Sequence, residues 1–316
     1  IGKTYFAAVI LQLAAEKKVD LDEPIERTVG GEAWFPGLPN AKALTLRILL
    51  GHKSGIAEHV ASPEFLAALH AEPGKHWDFG ELLQRFCCGR PALFEAGTSW
   101  SYADTNYIIA GLVVEKKLGT PLYTLIRERL LTKLSLTDTI PAEGPRIPGL
   151  ISGYEGPDKM FTGVEEVSVD GVCVLNPQFE WCGGGFVGTS PDLARWARAL
   201  WGDKKVLAEA SLREMLQGTP ETRTGPHDEY GLGVIVWASP LGRALGHTGM
   251  FPGYVSQVFH LEDSGLTVAM QCNTSDPAKL KGLRALLLDA AKSQGAVERA
   301  PSSPPAPPTS AEPGAK

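Results

Sequence analysis

The sequence is short of most features that would mark a protein's chemistry at a glance. No apolar run reaches the roughly 18 residues of a membrane-spanning helix. No basic stripe suggests nucleic acid: Lys plus Arg number 30 against 36 Asp plus Glu, a net charge of −6. The seven histidines are scattered, without zinc-type spacing to cysteine or carboxylate, so no metal or organic cofactor is implied. The five cysteines are Cys87, Cys88, Cys173, Cys182 and Cys272. An odd count argues against a disulfide framework, and bridging the adjacent Cys87 and Cys88 would be strained. They read as small buried apolar residues. Two serine-nucleophile signatures are missing too. In Gly51-His52-Lys53-Ser54-Gly55 the serine stands one place too late for a G-x-S-x-G elbow, and Gly97-Thr98-Ser99 lacks the closing glycine. No serine has a lysine three positions on. There is no initiator methionine and no signal peptide. Ile1 opens directly into an uncapped helical pattern, which predicts a chain cut at its N-terminus.

What is present is a helical first part and a strand-rich second part. Lys3 to Lys18 reads as a helix with an apolar stripe of Phe6, Val9, Ile10, Leu13 and Ala14. Thr45 is a candidate N-cap for Leu46 to Leu50. Thr105 to Lys117 is a further helix stopped by Gly119. Thr120-Pro121 and Ser190-Pro191 are starts for helices through Leu131 and Trp201. Ala208 to Leu216 is another. Leu232 to Ala238, Ala244 to Gly246, Tyr254 to His260 and Leu266 to Cys272 then read as strands, closed by a helix over Pro277 to Ser293. The order predicts an α+β fold, an antiparallel sheet flanked by helices plus a helical region. Residues 1–296 form the expected domain. From Val297 to Lys316 the chain is Pro, Ser, Ala and Glu, a composition that predicts a disordered tail without a catalytic role.

Three segments carry chemistry. They are Ile1-Gly2-Lys3-Thr4 at a helix start, Ser101-Tyr102-Ala103-Asp104-Thr105-Asn106 after Phe94-Glu95-Ala96-Gly97, and Gly246-His247-Thr248-Gly249 on a strand. In this order they resemble the serine β-lactamase and penicillin-binding-protein superfamily, notably its class C, D-Ala-D-Ala carboxypeptidase and esterase branch. Its signature is S-x-x-K, then Y-x-N or a variant, then K-T-G or H-T-G. Lys3 matches the motif lysine, Tyr102 the tyrosine, and His247-Thr248-Gly249 the third motif. Supporting resemblances are Leu49 to Gly55, Gly183-Gly184-Gly185 before Thr189-Ser190-Pro191-Asp192-Leu193, and the turn near Gly253. Together they span Ile1 to about Gln294. Taken singly, Lys3, Tyr102 and His247 would each read as structural. His52, His59, His70, His76, His227 and His260 keep that reading, and Trp77 and Trp181 either line the cleft or pack.

The resemblance implies a serine hydrolase working through an acyl-enzyme, with its nucleophile directly before Ile1. A residue three positions before Lys3 shares its helix face, so the amine can reach a hydroxyl there. Tyr102 is the expected general base and proton shuttle. Lowering its pKa of about 10 by about three units would need roughly 4 kcal/mol, and Lys3 is the available source. His247 and Thr248 are expected to face the substrate, beside Gly249, and Met250 to offer a backbone N–H to an oxyanion hole. Asp104 stands where many members carry Asn, and it accepts but does not donate when ionised. His247 in place of lysine leaves a cation that would titrate near neutrality. Both departures tilt the site toward peptidase or esterase chemistry on D-amino-acid peptides or small esters, without excluding β-lactams. The resemblance also implies a periplasmic or secreted location. A truncated chain would be inactive and would leave the strand at Leu266 to Cys272 with an unpaired apolar edge. A second reading is a non-catalytic relative that binds peptide or a partner without turnover. A residue other than serine before Ile1 would favour it.

Overall fold

The computed structural model describes residues 1–60, 62–156, 159, 161–223, 228–239 and 241–293. The expected tail and His227 lie outside them. The first helix, α1 (Lys3–Ala15), departs from the amphipathic stripe that its apolar spacing suggests. Tyr5, Ala7, Ala8 and Leu11 are buried as well as Phe6, Val9, Ile10 and Leu13, so the helix is enclosed on every side. A helix that is apolar all round belongs in a core, and this one has few polar side chains to place. Thr4 accepts a hydrogen bond from the Trp196 indole N–H at 2.8 Å, and Gln12 donates to the carbonyl of Val206 at 2.9 Å. Tyr5 stacks on Trp196 with ring centroids 4.3 Å apart.

Local signals set several further elements. Thr45 caps Leu46–Leu50 by accepting from the amide of Ile48. The helix α2 (Asp104–Leu118) ends at Gly119, whose φ of 65° is the left-handed cap that glycine supplies without strain. The helix α3 (Ser190–Ala197) is capped by Thr189, one residue earlier than its Ser-Pro start suggests, and runs on into a wider π-helical segment, Arg198–Gly202. Helices over Pro63–Ala71 and Phe79–Phe86 are additions to the sequence reading.

The main sheet is antiparallel, as expected. It contains β1 (Asp228–Tyr230), β2 (Ile235–Ser239), β3 (Gly242–Phe251), β4 (Tyr254–Leu261) and β5 (Thr267–Cys272), in spatial order β5-β4-β3-β2-β1. Alternate residues serve opposite faces. Val236, Leu245 and Val258 join the core around α1, whereas Ala244, Phe259 and Met270 pack with Leu280 of the last helix, α4 (Pro277–Ser293). The last register pair between β2 and β3 is Ile235 with Gly246. From His247 onward β3 is paired to β4 alone, and its other edge opens toward the start of α1. A three-stranded sheet (Gly153–Tyr154, Glu166–Val169, Val172–Cys173) and a two-stranded one (Ile140–Pro141, Phe186–Val187) complete the fold.

One close approach fixes the loop before the second small sheet. A Cβ on Gly111 of α2 would lie 2.5 Å from the Cys182 sulfur and 2.8 Å from the Trp181 ring. Gly111→Ala is therefore expected to destabilise the protein by about 1–3 kcal/mol through overpacking, offset by at most about 1 kcal/mol of helix propensity. A urea midpoint at or above the wild-type value would show that this contact relaxes freely.

Candidate active site

The start of α1, the start of α2 and the free edge of β3 converge. Lys3 is only 2% exposed, and its ammonium donates to the carboxylate of Asp104 and to the backbone carbonyl of Gly183. It also sits 4.8 Å from the ring centroid of Tyr102 and 5.3 Å from that of Tyr107. Burial opposes the charged lysine, but Asp104, and after it Tyr102, outweigh burial and leave the pKa above its ordinary value. Lys3 is a fixed cation.

Asp104 is placed by a carboxylate from another segment. Ala103 supplies no side-chain cap to α2. Instead Glu58 accepts from the amide N–H of Asp104 at 2.5 Å and from that of Val60 at 3.0 Å, completing the helix start electrostatically. Burial would raise the Glu58 carboxyl, but His59 and these amides hold it down to about 2. Glu180, a third carboxyl, lies against Gly183 and Gly184, where added Cβ atoms would come within 3.3 Å of its Oε2. Burial, then the charge of Asp104, push it up to about 8. Asp104 thus pairs with Lys3. Neither Glu58 nor Glu180 stands in any motif, so the sequence offers no signal for them.

Tyr102 is partly open to solvent, with 37% of its surface exposed. Surrounding protein disfavours its phenolate, an effect that this exposure tempers. Lys3 favours the phenolate and Asp104 opposes it, and the net direction is upward from the usual tyrosine value. Lys3 pulls the pKa down as expected, but burial first and Asp104 after it outweigh that pull, which corrects the expected net lowering.

His247 is a second correction. It is buried, and its Nδ1 lies 2.5 Å from the carbonyl of Thr248. A carbonyl only accepts, so Nδ1 carries the proton and Nε2 accepts from the Tyr230 hydroxyl at 3.0 Å. Burial above all, with the positive charge of Lys3 acting in the same direction, pushes its pKa well below the usual histidine value. His247 is neutral at pH 7 and faces Tyr230 in the interior. Tyr230 belongs to no motif and reaches the site only through the pairing of β1 with β2.

Thr248 and Met250 are exposed, the latter by 58%. The Thr248 carbonyl accepts from the nitrogen of Ile1 at 3.3 Å, so the backbone groups of Thr248 point to the free edge of β3. With a period of two, those of Met250 point the same way. Gly249 packs against Ser256: a Cβ there would lie 2.4 Å from the Ser256 hydroxyl, which would have to turn away. Similarly, a Cβ on Gly2 would lie 2.7 Å from the carbonyl oxygen of Gly184. Lys3, Tyr102, Asp104, His247 and the backbone of Thr248 to Met250 are therefore gathered close to the nitrogen of Ile1. His52, read from sequence as structural, is also here, its ring 4.3 Å from that of Tyr102. Among the described residues no helix is long and apolar enough to cross a membrane.

Known proteins are similar to this chain in sequence and fold. The chain is 23% identical over 296 residues to penicillin-binding protein 4* of Bacillus subtilis, covering 87% of this chain and 60% of that one. It is 25% identical to a D-aminopeptidase of Cereibacter sphaeroides, covering 72% of this chain and 42% of the relative. It thus spans less than two thirds of either relative. Among solved structures, a D-stereospecific amidohydrolase from Streptomyces sp. is similar at a TM-score of 0.77 and 28% identity, covering 87% and 80% of the two chains. The D-amino acid amidase of Ochrobactrum anthropi SV3, complexed with L-phenylalanine amide, is similar at 0.72 and 25%, covering 93% and 83%. The sequence profile of the beta-lactamase family matches residues 1–292, nearly the whole described chain, and the chain belongs to that family.

Proposed function

We propose that this domain is the catalytic unit of a serine hydrolase that cleaves amides of D-amino acids through an acyl-enzyme, with the nucleophilic serine immediately before Ile1. The observation that carries the reading is the Lys3 ammonium, pinned between Asp104 and the Gly183 carbonyl and 4.8 Å from the ring of Tyr102. A side chain three residues before Lys3 would share its helix face and open on the same space. Because Asp104 keeps Lys3 protonated, the proton carrier in this reading is Tyr102. It takes the serine proton as the hydroxyl attacks the substrate carbonyl and returns it to the departing amine. Lys3 stabilises the phenolate, the form of Tyr102 that accepts the serine proton and is restored once that proton has passed to the amine. Water then repeats the sequence to release the acid. The Met250 amide, on the free edge of β3, would donate to the oxyanion together with the amide of the serine.

The substrate class rests on two supports. The relatives include proteins named D-aminopeptidase, D-stereospecific amidohydrolase and D-amino acid amidase. In addition, a neutral, buried His247 supplies no cation for a substrate carboxylate at neutral pH, so a substrate ending in an amide is better matched than a C-terminal acid. The reading includes an envelope location, the one that the family resemblance implies.

In the natural chain, including the residues that precede Ile1, a fluorophosphonate probe is expected to label the serine. Tyr102→Phe is expected to slow labelling about 10²–10⁴-fold, the usual range for a lost acid–base group, while the partly exposed position keeps the fold intact. D-phenylalanine amide should be hydrolysed in preference to its L-enantiomer. Equal labelling of wild type and Tyr102→Phe would remove the role assigned to Tyr102, and an unlabelled wild type would overturn the reading as a whole.

The charge pattern sets a pH dependence. Tyr102 must lose its proton to act, and its pKa lies above the ordinary value of about 10. Acylation is therefore expected to rise without a plateau from about pH 7 to about pH 10. The negative charge of Asp104 raises that pKa, so Asp104→Asn lowers it and should move the rising limb to lower pH by about 1–3 units, the range for one nearby charge. A limb that stays in place, or moves to higher pH, contradicts Tyr102 as the titrating base.

A further inference from the structure

His52 is a buried titratable residue to which the proposed chemistry gives no task, yet it grips Tyr102 from three directions. The amide of Ser101, just before Tyr102, donates to the His52 backbone carbonyl at 3.0 Å. The amide of Ala103, just after it, donates to His52 Nδ1 at 3.2 Å. The imidazole itself lies against the phenol ring, with centroids 4.3 Å apart and planes 33° apart. A positive φ of 55° accompanies this arrangement at a non-glycine residue. Left-handed backbone at such a residue is strained and recurs where a surrounding function demands it.

The protonation state follows from the partners. Asn106 Nδ2 also lies 3.2 Å from His52 Nδ1. The Ser54 hydroxyl accepts from the amide of Ile56 at 2.9 Å and donates to Asn106 Oδ1 at 2.6 Å, which turns the Asn106 amine toward His52. Nδ1 thus receives two N–H donors and must present a lone pair. The proton resides on Nε2, which is buried and has no hydrogen-bond partner among the described residues. The Tyr230 ring packs at a steep angle to the imidazole, 4.8 Å away, in the arrangement of an edge against a face. Burial, and then the charge of Lys3, keep the ring neutral.

We infer that His52 is a positioning residue for Tyr102, holding the residues on both sides of it and its ring so that the hydroxyl stays registered against Lys3 and the attacking serine. The inference rests on the reading of Tyr102 as the proton carrier. Neither the ring nor its acceptor nitrogen touches the reacting atoms. His52 acts by removing freedom from a side chain that is otherwise partly open to solvent.

Two variants separate this role from bulk. His52→Asn places an oxygen where Nδ1 stands and tolerates the left-handed backbone. His52→Leu fills the space but leaves the amide of Ala103 and the Asn106 amine unsatisfied. In the natural chain, His52→Leu is expected to lower kcat on D-phenylalanine amide about 100-fold, the scale of a misplaced catalytic group, with KM changed far less. His52→Asn is expected to recover most of that loss. A working wild type whose His52→Leu variant keeps the wild-type kcat overturns the inference, as does a folded His52→Asn no better than His52→Leu. Should His52→Leu fail to fold, ¹⁵N imidazole shifts of the wild type still decide: a proton on Nδ1 overturns the inference, and one on Nε2 alone supports it. A wild type that neither labels nor turns over instead removes the proposed function, and the imidazole shifts then report on His52 independently.

Discussion

The site depends on one buried ammonium. Lys3 is almost wholly removed from water, and an unpaired charge in such a place costs several kcal/mol. Two groups from distant parts of the chain meet that demand, the Asp104 carboxylate at the head of α2 and the carbonyl of Gly183. Both must be brought to the lysine, and much of the local architecture does this. Glu58 accepts from the amide of Asp104 at the uncapped start of α2. Trp181, two residues before Gly183, has a φ of 32° and stacks on Phe79 at 4.3 Å. Gly111 lets α2 lie directly against Trp181 and Cys182. Removing one partner from a buried pair typically costs about 3–5 kcal/mol, because the other charge is left uncompensated. Catalytic geometry and stability are therefore hard to separate at Lys3 itself, and the site is better dissected at Tyr102 and His52.

The same ammonium organises the protonation states around it. Three carboxyl groups gather around it, and each has a different fate. Asp104 pairs with it directly. Glu58 is ionised by its own amide and histidine partners, independently of Lys3. Glu180, pushed up to about 8 by burial and then by Asp104, is mostly protonated at neutral pH. The two histidines nearest the cation, His52 and His247, are both neutral, since burial and a nearby positive charge act in the same direction on an imidazole. Of the titratable groups gathered around Lys3, Tyr102 is the most open to solvent, with 37% of its surface exposed.

Much of the scaffold was legible in the sequence because its signals are local. Thr45 caps its helix, Gly119 ends α2, and Pro277 to Ser293 is helical. The four strands read from β-branched runs all pair in the main sheet. The errors arose where tertiary context decides. The stripe of α1 looked one-sided because only some of its residues are large, whereas alanines and Tyr5 fill the other faces just as fully. The motif lysine, tyrosine and histidine do converge, but their charge states were not readable. Sequence order places Lys3 near Tyr102 only by analogy, and it says nothing of the competition from Asp104 or of the burial of His247. Tyr230, Glu58 and Glu180 lie outside any motif and join the site through chain folding alone.

His52 shows why a motif can be visible while its purpose is not. In the sequence it is a histidine before a Lys-Ser-Gly turn, and nothing local distinguishes it from the other five assigned a structural role. Its significance lies in two hydrogen-bond acceptors of one residue, a carbonyl and a ring nitrogen, that meet the amides on both sides of Tyr102. Such a clamp requires a residue with an acceptor one bond beyond Cγ and a backbone able to turn its carbonyl and side chain toward the same segment. Histidine and asparagine meet both conditions, and of the two only histidine also offers a flat ring for the phenol to lie against. The residue type at position 52 is thus a consequence of how Tyr102 is held, and the chain can hold it this way because Ser54 and Asn106 fix the polarity of the hydrogen-bond chain behind it.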